Sequence, residues 1–171
     1  MKEARQLVHG TCVAFGRHAA LLRGRSGSGK SDLALRFLAL PAEAECEPRL
    51  VADDQVFLDA GGDGVLLASA PPRLAGKIEV RGLGILAVPY LAEAALVLVV
   101  DLAASEEVPR MPPDPFEQTT IAGVSVPVLQ LAPFELSSAL KLKLALLSAV
   151  SQMPRTQSEV RACARGRARQ R

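Results

Sequence analysis

Eight residues constrain this chain more than any others: Gly24-Arg25-Ser26-Gly27-Ser28-Gly29-Lys30-Ser31 satisfies the phosphate-loop (P-loop) pattern G-x-x-x-x-G-K-[ST] at every specified position. At average residue usage such a match arises by chance in a chain of this size about one time in a hundred or less. An apolar, β-suited run at residues 19–22 precedes it. Behind it, Leu33, Ala34, Phe37, Leu38 and Leu40 recur at helical spacing across residues 31–40, until Pro41 stops the pattern. Strand, glycine loop and helix in that order bring backbone N–H groups and a helix N-terminus together around phosphate. The glycines let the main chain curl around a β-phosphate, Lys30 reaches the β/γ oxygens, and Ser31 can ligate Mg²⁺. The expected ligand is therefore ATP with Mg²⁺, held by Gly24, Arg25, Ser26, Gly27, Ser28, Gly29, Lys30 and Ser31. The plainer reading is a Gly/Ser-rich turn with a surface lysine, and it leaves the strand-loop-helix context unexplained.

The flanking pattern alternates strands and helices. Residues 6–15 and 19–22 are β-suited runs around the turn Gly16-Arg17, and read as adjacent strands or a hairpin. Residues 49–52 form a short strand, expected beside the P-loop strand, that ends in Asp53-Asp54. Residues 56–58 and 65–68 flank Asp59-Ala60-Gly61-Gly62-Asp63-Gly64, a hairpin signal. The unbroken apolar run 94–100 predicts a strand covered on both faces, and 124–131 predicts another. Residues 135–150 place Leu136, Ala139, Leu140, Leu144 and Leu147 on one face, with Lys143 at its edge, so a long helix is expected there. No internal repeat is found. The fold class is α/β.

Composition excludes several alternatives. With 171 residues, 49% apolar and 22% charged, the chain supports one folded domain with a full core, and wholesale disorder is excluded. Cys12, Cys46 and Cys163 are odd in number and irregularly spaced, matching neither a secreted disulfide framework nor a Cys-x-x-Cys zinc site, so a reducing cytoplasm fits. No apolar run approaches the ~18 residues of a membrane span, and the start lacks the apolar core of a secretory signal. Residues 155–171 hold six arginines and one glutamate, which makes the rest of the chain acidic although the total is +2. That end reads as a solvated basic tail, residues 153–171, following a domain at 1–152. Trp is absent and aromatics are 4%, which leaves little for bases to stack upon along a strand of nucleic acid. Neither nucleic acid nor a membrane is an expected partner.

A P-loop indicates nucleotide but not a reaction. The carboxylates narrow it. Asp53 and Asp54 fall at the C-terminal end of a strand, where ligands bind in open α/β sheets. One can hold Mg²⁺ through its water shell and the other can accept a proton from an attacking hydroxyl. Starting an ordinary turn is the bland role for either.

Four segments together resemble the HPr kinase/phosphorylase family, specifically its C-terminal catalytic domain: Val8-His9-Gly10, the P-loop itself, Leu50-Val51-Ala52-Asp53-Asp54-Gln55-Val56, and Ile78-Glu79-Val80-Arg81-Gly82-Leu83-Gly84-Ile85. The last is similar to the family signature E-[IV]-R-G-L-G-[IL]. The resemblance implies a P-loop-containing kinase core with a mixed sheet and a C-terminal helix. It implies that His9 lies near the phosphates, that Lys30 is the family's lysine, that Asp54 accepts the proton beside Asp53, and that Glu79 ligates Mg²⁺ with Ser31. By position, Arg110 matches the family's catalytic arginine. Without the resemblance, Glu79 and Arg81 read as exposed strand-and-turn charges.

The implied activity is ATP- and Mg²⁺-dependent serine phosphorylation of HPr or an HPr-like phosphocarrier of a phosphotransferase system. Family members are typically hexameric, which implies self-association. Two departures matter. The histidine segment starts near residue 7, where ordinary family members carry a separate N-terminal domain, so a short form is expected. The family's late Pro-Gly-Arg-Asn-like loop, important for phosphorolysis, is replaced by residues 126–135, which contain no arginine, lysine or glycine. Kinase activity therefore carries over more securely than the reverse reaction, in which phosphate attacks phosphoserine to release pyrophosphate. The competing functions are a small-metabolite P-loop kinase, disfavoured because residues 83–109 contain no lid arginine, and a nucleotide-binding regulatory sensor without turnover. A sensor has no use for Asp54 together with Glu79.

Overall fold

The computed structural model describes residues 5–43, 46–61 and 64–153, so residues 154–171 of the expected basic tail lie outside the described residues. The elements in chain order are β1 (Gln6–His9), β2 (Thr11–Phe15), β3 (His18–Arg23), α1 (Lys30–Leu38), β4 (Pro48–Ala52), β5 (Gln55–Ala60), β6 (Leu66–Ser69), β7 (Lys77–Val80), β8 (Gly84–Ala87), β9 (Glu93–Leu102), β10 (Glu117–Ile121), β11 (Val124–Leu131) and α2 (Ser138–Gln152). Among the described residues, one mixed sheet runs β1-β5-β6-β9-β3-β2-β4, with β11 joined to β9 and β10 to β11, while β7 and β8 form a separate hairpin. The fold is mixed α/β, and no described helix is long and apolar enough to cross a membrane.

β9 organises the sheet. One side of it is parallel to β3; the other pairs antiparallel with β6 over its first half and parallel with β11 over its second. Its continuous apolar sequence is what a strand covered on both faces requires, as the run 94–100 predicts. The alternation of β3 shows the same logic at finer grain. Ala20 and Leu22 join the core under the helices with Leu33, Phe37, Leu142 and Leu146, whereas Ala19 and Leu21 join a second core with Val56, Leu58, Leu66 and Val126. Both helices thus cover one face, and strands of the curled sheet close over the other. Phe37 and Leu33 are fully buried, each contributing about 1.5–3 kcal/mol by removal from water, and this anchors α1 directly behind the glycine loop.

The expected hairpin closes with Phe15 opposite His18, and the two-residue turn is made by Gly16, at φ +62°, and Arg17. β4, by contrast, is not beside the P-loop strand. β2 lies between them, antiparallel to both. Two antiparallel steps restore direction, so the C-terminal ends of β4, β3, β9 and β11 still open on the same edge.

The last helix begins at Ser138 rather than residue 135, and it buries a different face from the one its leucine spacing predicts. Ala139, Leu142, Lys143, Leu146 and Ala149 face the core, whereas Leu136, Leu140, Leu144 and Leu147 are exposed. Leucines occupy both faces, so periodicity alone leaves the choice open. Lys143 decides it: its ammonium pairs with Glu43 at 2.5 Å and lies 5.0 Å from the Phe15 ring centroid, so a buried lysine costs little.

Candidate functional site

The chain leaves β3 at Gly24 and enters α1 at Lys30, curling over the edge where the four parallel strand ends meet. Gly29 is the N-cap of α1 at φ +92°, a conformation suited to glycine, and no side chain caps the helix N-terminus. That leaves the positive end of the helix open to an anion. Lys30 is nearly buried, and its Nζ donates to the carbonyls of Gly24 at 2.8 Å and Arg25 at 2.9 Å, drawing the loop around the ammonium. Below the loop, Arg23 Nε and Nη2 donate to the two oxygens of Asp101 at 2.7 and 2.8 Å, a fork that ties the end of β3 to β9. The hydrogen bond to Asp101 raises the guanidinium pKa further above its ordinary value. Within the loop, the buried hydroxyl of Ser28 has no hydrogen-bond partner among the described residues.

The two adjacent aspartates differ in kind. Asp53 follows β4 nearly buried, and its Oδ1 accepts from Thr11 Oγ1 at 2.7 Å and Ser31 Oγ at 3.0 Å, while Oδ2 accepts the Glu79 N–H at 3.0 Å. It joins β2, α1 and β7 through one carboxylate. Asp54 turns the chain at φ +69° and is 63% exposed, with Oδ1 3.2 Å from His9 Nδ1. The pairing of β1 with β5 sets His9 opposite Gln55, and the Gly10 N–H donates to the Asp54 carbonyl, so the two side chains are brought together by the backbone.

A cavity of about 420 Å³ gathers these groups. His9, Ser26, Gly27, Gly29, Lys30, Ser31, Asp53, Asp54 and Glu79 line it; Gly24, Arg25 and Ser28 belong to the loop without forming its wall. Arg110 lies exposed in the connection between β9 and β10, outside the lining. The guanidinium at this cavity is that of Arg81, which follows β7. Sequence reasoning missed six further lining residues, Thr11, Asp32, Leu35, Val80, Arg81 and Phe134. Of these, Thr11 shows only a hydroxyl in an otherwise apolar strand, Arg81 is visible inside the signature segment, and no local pattern marks Phe134. Among the described residues no group of three or more His, Cys, Asp or Glu could hold a metal by itself. Mg²⁺ shared with substrate phosphates needs only one or two carboxylates, and Ser31, Asp53 and Glu79 offer hard oxygen donors around the open helix end. The donor chemistry fits.

A family model described as the HPr Serine kinase C-terminal domain matches residues 2–133. Among curated relatives, the HPr kinase/phosphorylase of Chloroherpeton thalassium is 34% identical over 140 residues, covering 74% of this chain and 38% of that protein. The one from Exiguobacterium sibiricum is 37% identical over 90 residues, covering 53% and 27%. The chain thus spans well under half the length of the curated relatives it matches. A solved structure of the Hpr(Ser) kinase/phosphatase from Coxiella burnetii is similar in fold, with a TM-score of 0.64 at 24% identity, covering 85% of this chain and 94% of that one.

Proposed function

The chain belongs to the family of the HPr serine kinase C-terminal domain, and from that premise we propose that residues 1–152 form an ATP- and Mg²⁺-dependent protein-serine kinase acting on HPr or an HPr-like phosphocarrier of a phosphotransferase system. The observation that carries this reading is the meeting, in one cavity, of the Lys30 loop with an accessible carboxylate, Asp54, paired to His9. A binding module needs only the loop.

Lys30 turns its ammonium from the loop carbonyls to the β/γ oxygens, and the open N-terminus of α1 receives the β-phosphate. Ser31 and Glu79 hold Mg²⁺, which when bound offsets charge on the phosphate oxygens. Asp53 already accepts three hydrogen bonds, so it serves to fix Ser31, Thr11 and β7. Asp54 therefore takes the proton of the attacking serine as its oxygen bonds to the γ-phosphorus and the bond to the ADP oxygen breaks. His9 orients Asp54 from the side. Arg81 takes the charge-offsetting role that the resemblance gives to Arg110. Residues 126–135 run through β11 to the Phe134 loop without a cationic side chain, which favours forward transfer over phosphorolysis. The cytoplasm, where ATP and phosphocarriers meet, is the matching compartment, and self-association follows from the family's habit.

Incubation with γ-labelled ATP, Mg²⁺ and HPr-like carriers tests the reading. Label is expected on a carrier serine, and Lys30→Ala should reduce transfer by ~10²–10³-fold. ATP binding without transfer to any carrier would leave the sensor reading, and label on a small metabolite would leave the metabolite kinase.

A further inference from the structure

The loops that follow β9 and β11 enclose a second recess of about 310 Å³ beside the glycine loop. Its walls include Ala103, Ala104, Ala132 and Pro133, and the Phe134 ring stands at the boundary, lining this recess and the larger cavity alike. By the strand order it lies on the β9 side of the loop, away from Asp53 on the β4 side. Phe134 stands apart from the chain's other aromatics. Phe15 and Phe37 are buried, Phe116 packs against the core, Phe57 lies 4.6 Å from the Arg5 guanidinium, and Tyr90 covers Gly76. Phe134 is 71% exposed, with its tip resting on Gly29 of the loop.

An exposed phenyl ring beside a small apolar recess, one step from a phosphate cradle, suits a flat π-faced group tethered to that phosphate. Resting on the phosphate-loop reading above, we propose that this recess takes the base of the bound nucleotide and holds it by its faces and shape rather than by reading its edge. Several polar groups of the wall are already paired, which limits what remains to read that edge. The Ala103 N–H donates to the Leu131 carbonyl and the Ala104 N–H to Glu107, while the Ala132 carbonyl accepts from Ser138. Arg36 of α1 donates to the carbonyls of Pro133 and Glu135, and the Ser105 hydroxyl is given to the Glu135 carboxylate.

Calorimetry on the full chain with ATP, GTP and inorganic tripolyphosphate, each with Mg²⁺, tests this. ATP is expected to bind roughly tenfold tighter than tripolyphosphate, the scale of one base stacked on an aromatic ring, with GTP within about threefold of ATP. Phe134→Ala should erase that advantage and leave tripolyphosphate binding unchanged; Phe134→Tyr should keep it. Ala104→Leu, at an exposed wall position, should also erase it by filling the recess. Tripolyphosphate binding as tightly as ATP, or Phe134→Ala weakening both ligands equally, overturns the base site while leaving the phosphate loop standing. Failure of both ligands to bind the parent chain overturns the loop reading and the base site with it. A preference above about 30-fold between ATP and GTP, on the order of 2 kcal/mol, shows that the edge is read and overturns holding by faces alone.

Discussion

On the β4 side of the glycine loop a buried carboxylate, Asp53, accepts from Thr11, Ser31 and the Glu79 N–H, whereas on the β9 and β11 side the walls are mostly alanine, proline and an exposed phenyl ring, with Ser105 and Glu135 among them. The first side is held by short polar contacts that converge from three elements. The second is laced by Arg36 and Lys141 from outside and by Ser105 within the wall, all gripping residues 133–135. The difference teaches what each side can do. Charge acting on a transferring phosphoryl group must be fixed before the reaction, because reorientation during it costs rate. A site that recognises shape tolerates small movements of its walls, and exposed ties suffice.

The largest expected effect separates the two aspartates that begin the polar side. Asp54→Asn keeps the size and tolerates the left-handed backbone, so the melting temperature should stay with the parent while phosphoryl transfer falls by ~10²-fold or more. Asp53→Asn replaces a carboxylate oxygen with a donor facing the Glu79 N–H or the hydroxyls, and should cost about 1–3 kcal/mol, a drop of roughly 2–10 °C in melting temperature. Thermal melts and transfer assays on both variants decide it. An Asp53→Asn that melts with the parent would remove the polar side's claim to rigidity, and an Asp54→Asn with full turnover would move the base elsewhere.

How much of this was readable in the sequence follows the same division. Of the residues the sequence singles out, Ser26, Gly27, Gly29, Lys30, Ser31, Asp53, Asp54 and Glu79 meet at one cavity, because the parallel strand ends and the start of α1 carry all but Glu79 of β7 to one edge of the sheet. The strand run 94–100 was readable because burial on both faces demands continuous apolar sequence. Residues 124–131 are a strand as expected, but one not covered on both faces, since only Val126 and Leu131 are buried while Ser125 and Gln130 are exposed. Phe134 was not readable, since an aromatic residue after a strand has no pattern of its own, and its proximity to Gly29 depends on β11 pairing with β9 from far along the chain. The buried face of α2 was hidden for another reason: Leu140 and Leu144 mimic Leu142 and Leu146, and only the partner Glu43 makes Lys143 an interior residue. Arg110 lies exposed between β9 and β10, and the arginine that lines the cavity is Arg81.

A smaller effect joins the two sides. A Cβ on Gly29 would lie 2.8 Å from Cζ of Phe134, and the φ of +92° disfavours any side chain there. Gly29→Ala should therefore destabilise by about 1–2 kcal/mol from the backbone alone, with the ring contact added. In a Phe134→Ala background the contact is gone, so a double-mutant cycle by urea unfolding should show coupling of about 0.5–1 kcal/mol. Additivity would mean that the ring does not rest on the loop, and the two sides would then be independent.

The smallest effect lies in the outer lacing. Lys141 and Ser105 both donate to the Glu135 carboxylate, Ser105 at 2.7 Å, and these bonds, Lys141 first, hold its pKa below the ordinary 4.5. A carboxyl whose folded-state pKa is depressed contributes stability above its ordinary value, and loses it as the pH falls through the lowered one. The contribution is therefore intact at neutral pH and fades below about pH 4.5. Because the group is exposed, solvent screening keeps it slight. Urea midpoints of the parent and Glu135→Gln, measured from pH 7 to pH 3, should differ little in total but diverge in slope at the acid end, where the variant loses less. The Ser105 bond spans the loops after β9 and β11, so the same titration should loosen the apolar side. Identical slopes in the two proteins would show that the lacing carries no free energy, leaving the Arg36 contacts and the packing of Phe134 on Gly29 to hold that wall unaided.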